Sequence, residues 1–564
     1  MAAWELPATT EVAVVILVRD ARRTQQRRAQ AAHRRQPGLR KGFVTKQLPG
    51  PASLLRQLSV TWGMTSRTAF SLAAVLVAAT TTAVPVLAAE HGAAVPCSTR
   101  DAGGSWPSYG HDATNTRTQS SETTLTPAPG TGLAKKWFFP TVGNVQSTPV
   151  VSNGCVYVTT DAGEIYALNA ATGAKVWQHT LPPGTTPGAI GGVIPGSPAV
   201  VGNQVIVLVS QDSAPYALSL DAHSGAVKWQ SAPVNTQPGV YTNASAAVHN
   251  GVVVFGYSPP EGESGGQGGV ALLDTEDGEF LKDVPTIPLA DQAAFSGGGI
   301  WSTAAFDNNG YAYVGAGNPY SKTQAHPHTD AILKIDVNKE RSTFGQIVGY
   351  APGEVDQYSS ALKQLQTTPV CAASATNGLT WPLDDPLCGQ LDLDFGASPN
   401  LIPDGHGELL VGDLQKSGEY HAASAATMKP TWATVIGGSC AVCNAASTAY
   451  DGTAIYAVGT PGSAMWSLNP ATGAVNWTSP VADGVHYQSV SVANGVVYTS
   501  DGNGFLDEFS AATGQPIAKQ AIDADVSDTA GGLSSSGIAI ADHELFVGLA
   551  NAGAGTAGYV VAYG

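Results

Sequence analysis

Charge is scarce in this chain: only 12% of its 564 residues are Asp, Glu, Lys or Arg, and the 43 acidic outnumber the 27 basic. The Ala/Glu/Lys/Leu periodicity of long helices is nearly absent, which speaks against helical bundles and coiled coils. Cysteine is limited to six positions, 97, 155, 371, 388, 440 and 443. None lies in the Cys-x-x-Cys-His order that covalent haem attachment needs, since Asn444 follows Cys440-Ala-Val-Cys443. No second Cys pair or His pair at ligand spacing accompanies that motif, so zinc is disfavoured too. After the first 88 residues no apolar run approaches the length of a membrane span.

The basic residues are unevenly placed. Residues 1–88 carry twelve Lys/Arg against three Asp/Glu, so the formal net charge of −16 leaves −25 for the remainder. A surface that acidic repels phosphate backbones, and nucleic acid is not an expected partner. Arg22, Arg23, Arg27, Arg28, Arg34 and Arg35 belong to a basic run, 1–63, without apolar periodicity. From Met64 the pattern changes to a secretory signal: Arg67, the apolar stretch Phe70 to Val77, and a small-residue cleavage site at Val86-Leu87-Ala88 or Leu87-Ala88-Ala89. Residues 64–88 are therefore expected to be a signal peptide. Two readings of 1–63 stand, an extension upstream of the true start at Met64 or a disordered cytoplasmic leader. The expected body, 89–564, is exported to the periplasm or outside the cell. All six cysteines follow the signal, which favours disulfides, with Cys371–Cys388 and Cys440–Cys443 the expected local pairs.

What the body has in abundance is Gly, 65, and Pro, 36. These punctuate one recurring unit: a small-residue start, an apolar strand, an Asn/Asp-Gly turn, two more strands and a turn leading to a Trp. Copies start at Thr148-Pro149, Ser197-Pro198, near Ser245, in the stretch around Trp301, at Ser398-Pro399, Ser447, near Ser489 and Ser536. Four of the clearest closures are ALNAATGAKVW, SLDAHSGAVKW, SLNPATGAVNW and EFSAATGQP. Eight units of four short antiparallel strands predict an all-β, eight-bladed β-propeller. Gly in the closing turn supplies positive φ, and the Trp beyond it is expected to dock between neighbouring blades. Between the fourth and fifth units an insertion, about 339–389, is expected to form a rim loop or lid.

The stretch 297–319, GGGIWSTAAFDNNGYAYVGAGNP, gathers candidate chemistry. Three glycines and an Ile precede Trp301, leaving its indole free to lie against a planar ligand. Asn318 stands at a strand end in Gly317-Asn318-Pro319, where an amide oxygen can be aimed at an ion.

From Trp106 onward the chain resembles the pyrroloquinoline quinone (PQQ)-dependent alcohol dehydrogenases, and within them the polyvinyl-alcohol dehydrogenase branch. WPSYGHDATNTR (Trp106 to Arg117), LDFGASPNL (Leu393 to Leu401) and VGDLQKSGEYHA (Val411 to Ala422) carry that likeness. The resemblance implies PQQ stacked on Trp301, a Thr at Thr242 contacting its carboxylate, and Lys416 contacting the reactive quinone oxygens. It implies a calcium ion held by PQQ, Asn318 and Glu263, with Glu261 a competitor and Gln267 where the family has Arg. The family's Gly-Asp-Asn motif for the general base is missing, because counting back from Asp336 gives Ala325. Asp330 is the nearest carboxylate, with His326 and His328 as further candidates.

The function expected is oxidation of an alcohol, secondary or polymeric, to a carbonyl, with electrons passing to an external acceptor such as a cytochrome c. The rival is a non-catalytic propeller of the same repeat acting as an extracellular binding or assembly scaffold; a propeller hydrolase or lyase has less support, for want of a nucleophile with a positioned base.

Overall fold

The computed structural model describes residues 97, 103–188, 192–260, 265–320, 325–354, 393–438, 444–459, 464–481, 488–522, 536–550 and 558–564. The expected leader, signal peptide and local cysteine pairs lie outside them, as do Glu261 and Glu263. Among the described residues the cysteine link is Cys97–Cys155, which fastens the start of the body to blade 1. No helix among them is long and apolar enough to cross a membrane.

The strands form eight sheets, seven of four strands and one of five. Blade 1 is typical, with strands Val150–Ser152, Cys155–Thr159, Glu164–Asn169 and Lys175–Thr180 paired antiparallel in sequence order. The innermost strands of blades 2 to 7 begin at Ala199, Ala247, Ala305, Asn400, Ala449 and Ser491. The last repeat supplies only three strands, Ile538–Ala541, Glu544–Leu549 and Gly558–Tyr563, and its outer strand is Lys135–Thr141 from the other end of the chain. The ring is thus closed by pairing the two ends of the body, which gives Gly558–Tyr563 a partner on its outer side.

The middle strands are buried on both faces, so they read as continuous apolar runs such as CVYVT and VVVFGY. Their side chains fill the spaces between adjacent blades; one cluster joins Val205, Val207 and Leu218 of blade 2 to Tyr157, Ile165 and Trp177 of blade 1.

Each docking Trp sits in an outer strand and reaches the next blade's closing turn. The indole N–H of Trp137, Trp177, Trp229 and Trp477 donates to the carbonyl of Ala170, Ala222, Thr275 and Ala511 at 2.8–3.1 Å. The turn glycines serve twice. Gly173, Gly225 and Gly278 hold φ near +70°, and a β-carbon there would lie 2.5–2.7 Å from the indole of the preceding blade.

Blade 4 departs from the expected boundary. Its outer strand is Ile347–Pro352, inside the stretch read as an insertion from 339. The longer turn 337–346 disguises it, with Arg341 and Thr343 binding the Asp336 carboxylate before Gly345 closes the turn. The remainder of the stretch, 355–392, lies outside the described residues.

Blade 7 carries a buried acid under the segment that leads to the closing strand. Glu508 is fully buried, with Tyr498 as its register partner, and neither carboxylate oxygen reaches a hydrogen-bond partner in normal geometry. Burial pushes its pKa from 4.5 up to about 7; the Leu133 backbone N–H eases the rise and Asp507 adds to it. An acid whose pKa is raised by folding contributes its full stability below the unfolded value. That stability is lost as pH climbs from about 4.5 through 7, by about 3 kcal/mol. Glu508→Gln is therefore expected to lose several degrees less than the wild type between pH 5 and pH 8. Parallel pH slopes for the two proteins would contradict this placement.

Candidate functional site

The site is built where loops from blades 3, 4 and 5 meet at the ring axis. Its base is a circle of hydroxyls. Thr148, Ser197, Ser245, Thr303, Ser398, Ser447, Ser489 and Ser536 stand two residues before the innermost strand of each blade, explaining the small-residue start of every repeat. The backbone N–H of Ser197, Ser245, Thr303 and Ser398 each donates to the side-chain hydroxyl of the next blade's member, at 2.8–3.2 Å. Tyr109 places its hydroxyl 2.7 Å from both Ser447 and Ser489.

Tyr109 belongs to the opening segment, which threads around the axis. Trp106, Pro107, Ala113, Thr114, Thr116, Arg117 and Gln119 hydrogen-bond in turn to innermost strands of blades 1, 2, 4, 5, 6, 7 and 8. At blade 3 the contact is replaced by a cavity of about 150 Å³ lined by Pro107, Ala247 and Phe306.

Around the hydroxyl circle lies an axial cavity of about 350 Å³, bounded by Trp301, Asn243, Gln146 and Gly396 and reaching Tyr109. Two hydroxyls on its wall, Thr148 Oγ1 and Ser197 Oγ, are buried without a hydrogen-bond partner, as the lining of an oxygen-rich ligand or water would be.

Trp301 is half-buried at this cavity, and Lys416 holds its Nζ over the indole, 5.0 Å from the ring centroid. The two come from the loop before the innermost strand of blade 4 and the loop between the second and third strands of blade 5. Asn318 comes from the equivalent loop of blade 4. Its backbone N–H donates to Asp394 Oδ1 at 2.6 Å, and Lys416 Nζ lies 2.6 Å from Asp394 Oδ2. Asp394 is the site residue that sequence reasoning missed. Its signal was the carboxylate of LDFGASPNL, in Asp394-Phe395-Gly396 directly ahead of a blade start.

The glycines before Trp301 have a different task from the one expected. Gly298 N–H donates to Asn318 O and Gly317 N–H to Gly299 O, both at 2.8 Å, so the two backbones touch. A β-carbon at Gly297, where φ is 100°, would collide with the Asn318 carbonyl. Room beside the indole comes instead from Gly396, where a β-carbon would sit 2.5 Å from Trp301 Cη2. Gly396→Val is expected to turn the indole from its seat and weaken binding of any planar ligand there about 10-fold or more, measured by equilibrium titration, at a cost of about 1–3 kcal/mol in stability. Unchanged affinity would show that Trp301 is not the platform.

The other candidates separate. Asp330 is buried with φ 50°; its N–H donates to Gly317 O at 3.1 Å and its carbonyl accepts from Gly353 N, which sets it beside the Asn318 turn. Thr242 is fully buried and its hydroxyl donates to Gly256 O at 2.7 Å, while its neighbour Asn243 lines the cavity. His326 Nε2 faces Asp291 at 3.4 Å and His328 Nδ1 lies 2.8 Å from Thr286 O, so both engage the segment leaving blade 3. Gln267, where the family has Arg, ties its side-chain amide to Phe295 O and its own N–H to Gln237. Among the described residues no group of three or more His, Cys, Asp or Glu is placed to hold a metal ion.

Comparison with known proteins agrees with this architecture. The family model PQQ_2, described as outer membrane protein assembly factor BamB, matches residues 112–326 and 388–554. The chain belongs to this family. Its curated relatives include a polyvinylalcohol dehydrogenase of Sphingopyxis sp. (strain 113P3), 26% identical over 68% of this chain and 62% of the relative. A polyvinylalcohol dehydrogenase of Pseudomonas sp. is 28% identical over 41% of this chain and 38% of the relative. The chain thus spans less than two thirds of either relative. Among solved structures, the quinohemoprotein alcohol dehydrogenase from Comamonas testosteroni superposes with a TM-score of 0.61 at 15% identity, covering 82% of this chain and 81% of that one. The likeness to quinoprotein alcohol dehydrogenases expected from the motifs is borne out, as is the eight-bladed propeller.

Proposed function

We propose that this chain is a PQQ-dependent dehydrogenase, exported and assisted by calcium, that oxidises an alcohol to a carbonyl. The observation that carries the reading is Lys416 Nζ, poised over the indole of Trp301, whose ring borders the axial cavity. A planar tricyclic quinone fits such a face, and the unpartnered hydroxyls on the wall suit its oxygens. When bound, PQQ supplies a two-electron acceptor for the hydride of the alcohol carbon.

The chain's own residues do the rest. Trp301 would be the stacking face for the cofactor, with Asn243 on the cavity wall and Thr242, its neighbour in the chain, as the further contact. Lys416 directs N–H donors at oxygens that become electron-rich on reduction. Asn318, with Glu263, is the donor set for calcium, a carboxylate and an amide oxygen of the hard kind that ion prefers. Asp330, next to the Asn318 turn, takes the hydroxyl proton. The names of the relatives favour a secondary or polymeric alcohol of the polyvinyl-alcohol kind. Without a Cys-x-x-Cys-His the electrons leave to a separate acceptor such as a cytochrome c.

The BamB description of the family model favours a second reading, a non-catalytic assembly scaffold. Purified protein supplied with PQQ and calcium should reduce an electron-accepting dye when 2-propanol or polyvinyl alcohol is added. Failure to take up PQQ at micromolar concentration would leave the scaffold reading in possession. In the loaded protein, Asp330→Ala should abolish turnover while retaining PQQ; unchanged turnover would remove Asp330 as the base.

A further inference from the structure

We infer that Asp394 is a positioning residue that aims the Lys416 ammonium and fixes the Asn318 turn. The inference rests on the cofactor reading above. The Asp394 carboxylate divides its oxygens between two loops of the site. Oδ1 accepts the Asn318 backbone N–H and Oδ2 faces Lys416 Nζ, each at 2.6 Å, and the Lys416 backbone N–H donates to the Asp394 carbonyl at 3.0 Å. Lysine is thereby held at both ends of its flexible stem.

The surroundings are shaped for this clamp. Asp394, Lys416 and Asn318 are 6%, 7% and 8% exposed, so water screens the pair little. A β-carbon on Gly317 would lie 2.9 Å from Asp394 Oδ1, and glycine there lets the carboxylate approach the turn. Phe395, fully buried, packs its ring edge-on to His421 and near Gly353, anchoring the backbone on the far side. Gly396 then seats Trp301. Three consecutive residues thus set the cation, the core anchor and the stacking platform.

The pair is net neutral, which defines what Lys416 offers. It presents a directed N–H donor more than a bare positive charge, and its direction depends on Asp394. A lysine freed from this partner samples many rotamers, and a donor displaced by an ångström loses most of its effect on a developing charge.

Asp394→Asn tests this directly, because its amide oxygen still accepts the Asn318 N–H while the charge partner of Lys416 is gone. Two readouts are needed. In the protein without cofactor, acetylation of Lys416 by acetic anhydride, followed by mass spectrometry, should quicken severalfold over wild type. In the protein loaded with PQQ and calcium, kcat should fall about 10- to 100-fold, with PQQ affinity changed less than about 3-fold, and Asp394→Glu should recover part of the loss. Unchanged Lys416 labelling would overturn the clamp. Faster labelling with wild-type kcat would overturn its part in turnover. Wild-type protein that takes up no PQQ would instead contradict the cofactor reading, and the labelling result would stand apart from it.

Discussion

Lys416→Met is expected to lower quinone-dependent turnover about 10²- to 10³-fold, the usual cost of deleting one preorganised donor at a site of developing negative charge. Lys416 Nζ is held over the Trp301 ring, which borders the cavity. The substitution also takes the cation out of a buried ion pair, which costs about 3–5 kcal/mol of stability. A drop in rate alone would therefore be ambiguous. Combining Lys416→Met with Asp394→Asn removes the buried carboxylate charge as well, so the double variant should regain most of the melting temperature while turnover stays low. Dye-linked rates and thermal melts on the three proteins decide the matter; a double variant with wild-type turnover would show that Lys416 serves the fold alone.

Arg117→Ala is expected to be the most damaging substitution for the ring, lowering stability by about 3–5 kcal/mol. The guanidinium is completely buried, donates to Val490 O at 2.8 Å, and also reaches the Tyr109 carbonyl, Ser491 Oγ and Ile538 O. It lies over the rings of Tyr109 and Trp106, 4.9 and 5.6 Å from their centroids. It thereby joins the opening segment to blades 7 and 8. Burial lowers its pKa to about 10, still high enough to keep it charged at neutral pH. Alanine would leave those carbonyls unsatisfied around a void. Arg117→Lys, which keeps the charge but loses the fork, should fall between the two. Melting temperatures following the order wild type, Lys, Ala would support this, and an unchanged melt for Ala would refute it.

Much of the ring was legible in the sequence because each repeat spells out its own constraints. The turn glycine and the following Trp are one device, the glycine needed both for its φ and for the space the indole takes. The small residue at each repeat start was visible as a pattern, but its hydroxyl link to the next blade follows only once eight copies face one axis. Closure of blade 8 by Lys135–Thr141 was hidden for a related reason: it pairs segments more than 400 residues apart and has no local signature. The outer strand of blade 4 escaped because the turn 337–346 lacks the Gly-Trp signal.

The site was legible in part. Trp301, Asn318 and Lys416 announce themselves by motif, and the structure places Lys416 over the Trp301 ring and joins it to the Asn318 turn through Asp394. Asp394 does not, because its importance lies in joining residues 76 and 22 positions away. Gly297 to Gly299 stand out in the sequence, yet their small size admits the Asn318 carbonyl, Thr286 and Ser258 in turn, whereas the space beside Trp301 is left by Gly396, from another blade. Physical reasoning from neighbours in sequence cannot distinguish those two uses of glycine.

The most direct test of the central claim is an equilibrium titration of the purified protein with PQQ in the presence of calcium, followed by tryptophan fluorescence and by the absorbance of the quinone. Saturable binding at micromolar concentration or tighter, about −8 kcal/mol or better, weakened at least 10-fold in Trp301→Ala, is the predicted result. No saturable binding, or the same affinity with Trp301 removed, would contradict it.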